Sequence, residues 1–279
     1  MMVTSAEVRR PLDLSRIVID LEQKTYFITL NISNKSGALA SFLSILKKHD
    51  LNLIGIISEA ISRKEEIEIS MFLEAPVKMG REELEKLLTE EIAKEKIDVV
   101  RGIKIFEHLE GYDADVYHFP LTMGDMRAVI FPMNVLESLI AGIRQTFDTP
   151  VVQTMLWYQG REIGKNMLEL CREKYGVTGI RALEFLKTRA LILGWALIET
   201  SEFDEKMKKA RIRVFENWEC LMFKDSNVPQ SHFLRGFLAG FFSSLFEVEV
   251  EVSEAACISK GDPYCEFVVQ QKKGETVKS

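Results

Sequence analysis

From residue 26 the chain alternates apolar and polar side chains, Tyr26-Phe-Ile-Thr-Leu-Asn-Ile32, a period of two rich in β-formers that predicts a strand. Asn34-Lys-Ser-Gly37 interrupts it. The period then lengthens: Leu39, Phe42, Leu43, Ile45 and Leu46 fall on one face of a helix starting at Ala38, with Ser36 as its N-cap and His49-Asp50 near its end. Two strand-like runs follow, Asn52 to Ser62 and Glu65 to Glu74, joined through Arg63-Lys64 in the manner of a hairpin. A helix over Arg81 to Lys94, with Leu84, Leu87, Leu88 and Ile92 inward, and a strand over Ile97 to Phe106 complete the order βαββαβ. That is the ferredoxin-like split βαβ arrangement.

Near Glu110 the pattern changes to longer amphipathic helices, with Gly111-Tyr-Asp-Ala-Asp115 as the connection. A short strand around Arg127 to Ile130 precedes helices over Asn134 to Phe147, Val151 to Tyr175 and Ala182 to Ser201. Gly160 and Gly164, four apart on the second helix, permit close approach of another backbone. Strands follow at Lys209 to Phe215 and Trp218 to Phe223, then a helix opened by Pro229 and running to Phe246. A hairpin of Phe246 to Ala255 and Tyr264 to Gln270 closes the pattern. The expected class is α+β: an extension (1–20), a ferredoxin-like domain (21–110), a linker (111–118), a mixed α/β domain with long helices and a C-terminal antiparallel sheet (119–272), and a tail (273–279).

Composition narrows the function. In 279 residues, 36 basic and 42 acidic side chains leave a charge of −6. They divide as 16 against 19 up to residue 110 and 20 against 23 beyond it, so each part is about −3 and no basic block exists for direct nucleic-acid binding. The longest apolar stretch, Gly236 to Phe246, is too short to span a bilayer, and the N-terminus lacks an export core, so a cytoplasmic location is expected. No dinucleotide Gly-x-Gly-x-x-Gly follows a strand, and neither a P-loop nor a Gly-x-Ser-x-Gly elbow occurs. No redox-cofactor motif is present and no catalytic residue is assigned. Four cysteines in such a chain read as thiols or metal ligands rather than a disulfide framework.

The strand, the turn Asn34-Lys-Ser-Gly-Ala-Leu-Ala40 and the helix ending in His49-Asp-Leu-Asn-Leu53 resemble an ACT domain over residues 22 to 107. A glycine at a helix start lets a ligand approach N–H groups that lack intrahelical partners, and the helix dipole favours a carboxylate there. The resemblance implies an amino-acid site at Asn34, Gly37, Ala38 and Leu39, and dimers. The turn by itself is equally a plain helix start.

The closing pattern, Gly236-Phe-Leu-Ala-Gly240, then Glu254-Ala-Ala-Cys257 and Gly261-Asp-Pro-Tyr-Cys265-Glu-Phe267, resembles the vinyl-4-reductase family over residues 120 to 272. The resemblance implies a mixed α/β domain, often dimeric, with an apolar pocket, as in input domains of bacterial regulators that respond to phenols. Phe233, Phe237 and Phe241 recur every four residues and, with Trp195 and Trp218, are candidate walls for a hydrophobic ligand. The same stripe also reads as core.

The hairpin brings Cys257 and Cys265 together, as two ligands of one metal require. Glu254, three residues before Cys257, would face the other way on a regular strand, so joint ligation needs a bulge between them. In the aromatic-sensing members of the resembled family, this Glu and these two Cys bind zinc with another cysteine, the fourth ligand, whose position here is Ser231. The predicted site is therefore a structural zinc held by Glu254, Cys257, Cys265 and His232, with Cys220 as another source of the fourth ligand. Free thiols, a Cys257–Cys265 disulfide or a site without metal remain alternatives, and Cys171 reads as core. The functional expectation is a sensor that binds an amino acid or small carboxylate in its first part and a hydrophobic molecule in its second, acting as a homodimer through a partner protein. The alternatives are a reductase-like enzyme and an assembly scaffold.

Overall fold

The structure, a computed structural model, describes residues 11–18, 24–58, 64–76, 78–106, 112–224 and 226–272. The expected tail, most of the expected extension, the end of the second strand with Arg63, and Glu110 lie outside the described residues. Two compact units divide the chain, one within Val8–Val129 and one within Ile130–Ser279. The class is α+β, as the pattern predicts. Among the described residues, no helix is long and apolar enough to cross a membrane.

The first unit contains β1 (Ile17–Val18), β2 (Lys24–Ser33), α1 (Ala38–Lys48), β3 (Asn52–Ser58), β4 (Glu66–Ala75), α2 (Arg81–Lys94), β5 (Val100–Ile105) and β6 (Asp113–Ala114), then a small hairpin of β7 (Thr122–Met123) and β8 (Met126–Arg127). Its antiparallel sheet has the order β3-β4-β2-β5. The alternation of β2 sends Tyr26, Ile28, Leu30 and Ile32 into a core shared with Phe42, Ile45 and Leu46 of α1 and with Leu84 and Leu88 of α2. The opposite face carries Phe27, packed against Phe72, Phe106 and the His118 ring.

Three expectations change here. Gly37, not Ser36, is the N-cap of α1, at φ +83° in the left-handed region and with no side-chain cap. Of the expected strand over Arg127 to Ile130, only Arg127 is paired, at the end of β8, and the residues after it are not in a strand. The segment 111–118, expected as a linker, belongs to the first unit: β6 pairs with β1, Thr25 donates to Asp113, and Asp115 pairs with Arg16 and, at 2.7 Å, with His118 Nδ1. These contacts carry the unit boundary on to Val129, beyond the change of pattern near Glu110.

The second unit contains α3 (Met133–Thr146), α4 (Thr149–Tyr175), α5 (Gly179–Ile192), β9 (Leu197–Asp204), β10 (Lys209–Phe215), α6 (Trp218–Leu221), α7 (His232–Phe246), β11 (Val250–Ala256) and β12 (Cys265–Gln271). Its antiparallel sheet has the order β11-β12-β10-β9, with Ala210, Ile212, Val214, Cys265, Phe267 and Val269 turned into the core. The helix α7 is apolar nearly all round, which suits burial on two sides. One side meets β11 and β12, and the other meets α4. A β-carbon at Gly160 or Gly164 would overlap the carbonyl oxygens of Phe233 and Phe237, and one at Gly236 or Gly240 would overlap those of Trp157 and Arg161. Four glycines thus let the two backbones touch.

Three elements differ from expectation. The helix expected to reach Ser201 stops at Ile192, where Gly194 turns the chain at φ +70°, and Leu197 to Asp204 pair with β10 as an edge strand. Trp218 to Phe223, expected as a strand, contain a single helical turn because Asn217 caps it by accepting the N–H of Glu219. Pro229 lies before α7, which begins at His232.

Candidate metal centre

Four side chains converge: Cys220 of α6, Glu254 of β11, Cys257 just after β11, and Cys265 at the start of β12. Their ligand atoms all lie within 4.8 Å of one another. The hairpin alone accounts for three of them. Glu254 stands opposite Phe267 and Ala256 opposite Glu266, so Ala255 is an extra residue in the ladder. This bulge resets the alternation and turns both Glu254 and Cys257 toward Cys265. The three cysteines are fully buried and none is in a disulfide.

Around the donors lies a tight set of hydrogen bonds. Cys220 Sγ is 3.5 Å from both Cys257 Sγ and Cys265 Sγ. Ser231 Oγ donates to Glu254 Oε1 at 2.7 Å and stands 2.9 Å from Cys220 Sγ. The buried Asn217 amide donates to Cys220 Sγ at 3.1 Å, to Ser231 Oγ at 3.0 Å and to Cys265 Sγ at 3.5 Å. The backbone N–H of Ile258 reaches Cys265 Sγ at 3.4 Å, and Cys257 Sγ lies 2.9 Å from Ser259 Oγ.

The electrostatics match a cation site. Burial pushes the Glu254 carboxyl up to about 8. Contacts from Cys220 and Cys265 pull Cys257 well below the ordinary thiol, while Cys220 is pushed far above it by the same sharing with Cys257 and Cys265. Cys265 stands at about 11, drawn down by Cys220 and raised by Cys257 and burial. Burial and mutual contact oppose full ionisation of these acids, and a bound divalent ion would favour it. A tetrahedral ion with zinc–sulfur bonds of about 2.3 Å separates its sulfurs by about 3.8 Å, close to the 3.5 Å between thiols here. The donor set, three soft thiolates and one carboxylate, fits zinc.

His232 is outside this set. Both its ring nitrogens are buried without a partner, and burial, followed by the charges of Arg235 and Arg144, pulls it down to about 4. Its neighbour Ser231 takes the position facing the donors, so the adjacent side chain on α7 leaves along a different direction. Cys220, the other candidate source of the fourth ligand, lies within the set.

The five hydrophobic candidates separate. Phe237 and Phe241 are fully buried core. Phe233, Trp195 and Trp218 are half-buried and form an aromatic corner, with ring centroids 6.4 Å apart for Trp195 and Phe233 and 5.5 Å for Trp218 and Phe233. In the first unit, Asn34 is exposed and its amide donates to the Lys64 carbonyl at 3.0 Å. The Ala38 N–H is taken by the Lys35 carbonyl at 3.1 Å, Gly37 is open to solvent, Ala38 is buried and Leu39 half-buried. Sequence reasoning misses Asn217, Glu219 and Ser259. Glu219 is wholly buried and accepts the first N–H groups of α7, from Phe233 at 2.8 Å and Leu234 at 3.1 Å; burial raises it to about 7 against those bonds. The one signal in the chain is Asn217-x-x-Cys220, a capped turn ending in a thiol.

The chain is 37% identical over 83 residues to the uncharacterized protein MJ0150 and 32% identical over 68 residues to the uncharacterized protein MJ1642, both of Methanocaldococcus jannaschii. Those stretches cover 24% and 23% of this chain, and they span only 48% and 42% of the two relatives. Among solved structures, the phenol-responsive sensory domain of the transcription activator PoxR with phenol is similar at 16% identity and a TM-score of 0.48, over 54% of this chain and 79% of that one. A vinyl-4-reductase family protein from Methanocaldococcus jannaschii is similar at 19% identity and a TM-score of 0.37, over 52% of this chain and 85% of that one. Residues 210–271 match the model of the vinyl-4-reductase domain family, and that segment contains Cys220, Glu254, Cys257 and Cys265.

Proposed function

We propose that this protein is a small-molecule-sensing regulatory protein whose second unit is stabilised by a structural zinc at Cys220, Glu254, Cys257 and Cys265. The observation that carries the reading is the convergence of these donors around Asn217 and Ser231, inside the segment matching the vinyl-4-reductase domain family. The hydrophobic ligand binds at the corner of Trp195, Trp218 and Phe233, where half-buried rings offer apolar area that the core does not use. Phe237 supports that corner from within, its ring 6.0 Å from that of Trp195, and Phe241 lies deeper in the core. The first unit, with the sheet order β3-β4-β2-β5 and two helices on one face, is ACT-like and takes an amino acid or small carboxylate at Asn34, Gly37, Ala38 and Leu39. A homodimer covers the exposed Val135 and Leu139 of α3 and Val151, Met155 and Tyr158 of α4, and output passes to a protein partner in the cytoplasm.

Elemental analysis and native mass spectrometry of protein purified without a histidine tag test this together. The expected result is one zinc per chain, a dimer and a retained apolar molecule. Less than about a tenth of an equivalent of zinc removes the metal, and a redox cofactor in place of an apolar ligand would favour an enzyme.

A further inference from the structure

The turn α6 is four residues long, yet its successive side chains reach three different places. Trp218 packs edge-on against Phe233, Glu219 caps the N-terminus of α7 through the Phe233 and Leu234 amides, and Cys220 joins the donor cluster. Asn217, which caps the turn, binds Cys220 and Ser231 with the same amide nitrogen. So short a helical turn cannot hold itself by its own hydrogen bonds, so its placement depends on what its side chains grip. The grip on the cluster is a thiol among thiols, and that is weak unless an ion joins them. Ser231, at the α7 N-cap, already lies beside both Cys220 and Glu254, yet offers only a hydroxyl.

We infer that Cys220 is the fourth ligand of the metal, with Ser231 reduced to a hydrogen-bonding neighbour, and that through Cys220 the ion clamps α6 onto α7. Metal occupancy then sets both the capping of α7 by Glu219 and the placement of Trp218 on Phe233, the aromatic corner where the hydrophobic ligand is read. Metal and apolar ligand bind with positive coupling, each favouring the same arrangement of α6. The inference rests on the reading that the cluster holds a metal.

Cobalt(II) is the probe, because its charge-transfer absorption counts thiolate ligands in the full-length protein. The wild type is expected to show three thiolates. Cys220→Ser should show two and lose at least about tenfold in cobalt affinity, since even outer-shell partners of metal ligands carry losses of about 10- to 100-fold. Adding Ser231→Cys to Cys220→Ser should restore three thiolates, but without the metal-dependent change in Trp218 emission, which Trp218→Phe identifies. In the wild type, chelation should speed amide hydrogen exchange at Phe233 and Leu234 at least about tenfold, a readout that needs no variant. A Cys220→Ser spectrum and affinity equal to the wild type, or exchange at Phe233 and Leu234 indifferent to metal, overturns the inference while leaving the metal in place. A wild type that takes up neither cobalt nor zinc overturns the metal reading instead.

Discussion

The two regions to which the sequence points for binding are built in opposite ways. The turn from Asn34 to Leu39 is local, exposed and satisfied by its own neighbourhood, with Asn34 on the Lys64 carbonyl and Ala38 on that of Lys35. The cluster of Cys220, Glu254, Cys257 and Cys265 is buried and joins residues up to 45 apart. A local turn can be occupied or empty with little effect on its unit, whereas a buried set of like acids is part of the core and must be neutralised there. The glycines differ in the same sense. Gly37 is required by its dihedral angle and has open space around it, whereas Gly164 is required by space, since α7 passes against it.

The sharpest way to break this contrast is a side chain at the α4–α7 seam. Gly164→Val should cost about 3 kcal/mol or more, as overpacking against backbone that cannot yield, and abolish the thermal transition of the second unit while that of the first persists. Calorimetry showing both transitions intact would mean that the seam is looser than described. Next in size, Cys257→Ser should remove bound metal and lower the melting temperature of the second unit only, with the transition of the first unit unaffected; zinc content and differential scanning fluorimetry measure this. Gly37→Ala should cost about 1 kcal/mol through strain at φ +83°, with no steric clash, and urea unfolding of the first unit reads it.

The smallest effect lies in the acid limb of the first unit. Hydrogen bonds from Lys48 and Lys94 hold Glu91 down to about 2, against an ordinary 4.5. A depressed carboxyl contributes stability that is present above pH 4.5 and lost as pH falls toward 2. Glu91→Gln should therefore flatten the decline of stability in that window and leave stability at lower pH nearly unchanged. Acid titration followed by circular dichroism checks it; an identical acid limb in the variant would show that Lys48 contributes nothing.

Legibility follows the range of the determining contacts. The helix Arg81–Lys94 and the strand Lys209–Phe215 are readable to the residue, because their periodicity is complete within the element. The strand β9 is hidden because the apolar positions of α5 run on toward it, and only the turn at Gly194 and pairing with β10 separate them. The turn α6 is hidden because Trp218-Glu-Cys-Leu-Met-Phe223 is a short apolar run that fits a strand equally well, and its cap decides the matter. At the site, the Glu254, Cys257 and Cys265 spacing and its need for a bulge are legible from strand alternation. The choice of His232 follows adjacency to Ser231 in the chain, whereas Cys220 arrives through tertiary structure, 11 residues from Ser231.

The bulge at Ala255 also says something about length. Glu254 and Cys257 face one side because a single residue is surplus in the ladder. Deleting Ala255 would leave Glu254 and the cysteine two positions apart on a regular strand, still on the same side. A deletion at Ser253 instead would reverse Val250 and Val252, now turned into the core, relative to the donors that follow. Along β11, then, Ala255 is the place where the chain can gain or lose one residue and keep the parity of its inner face.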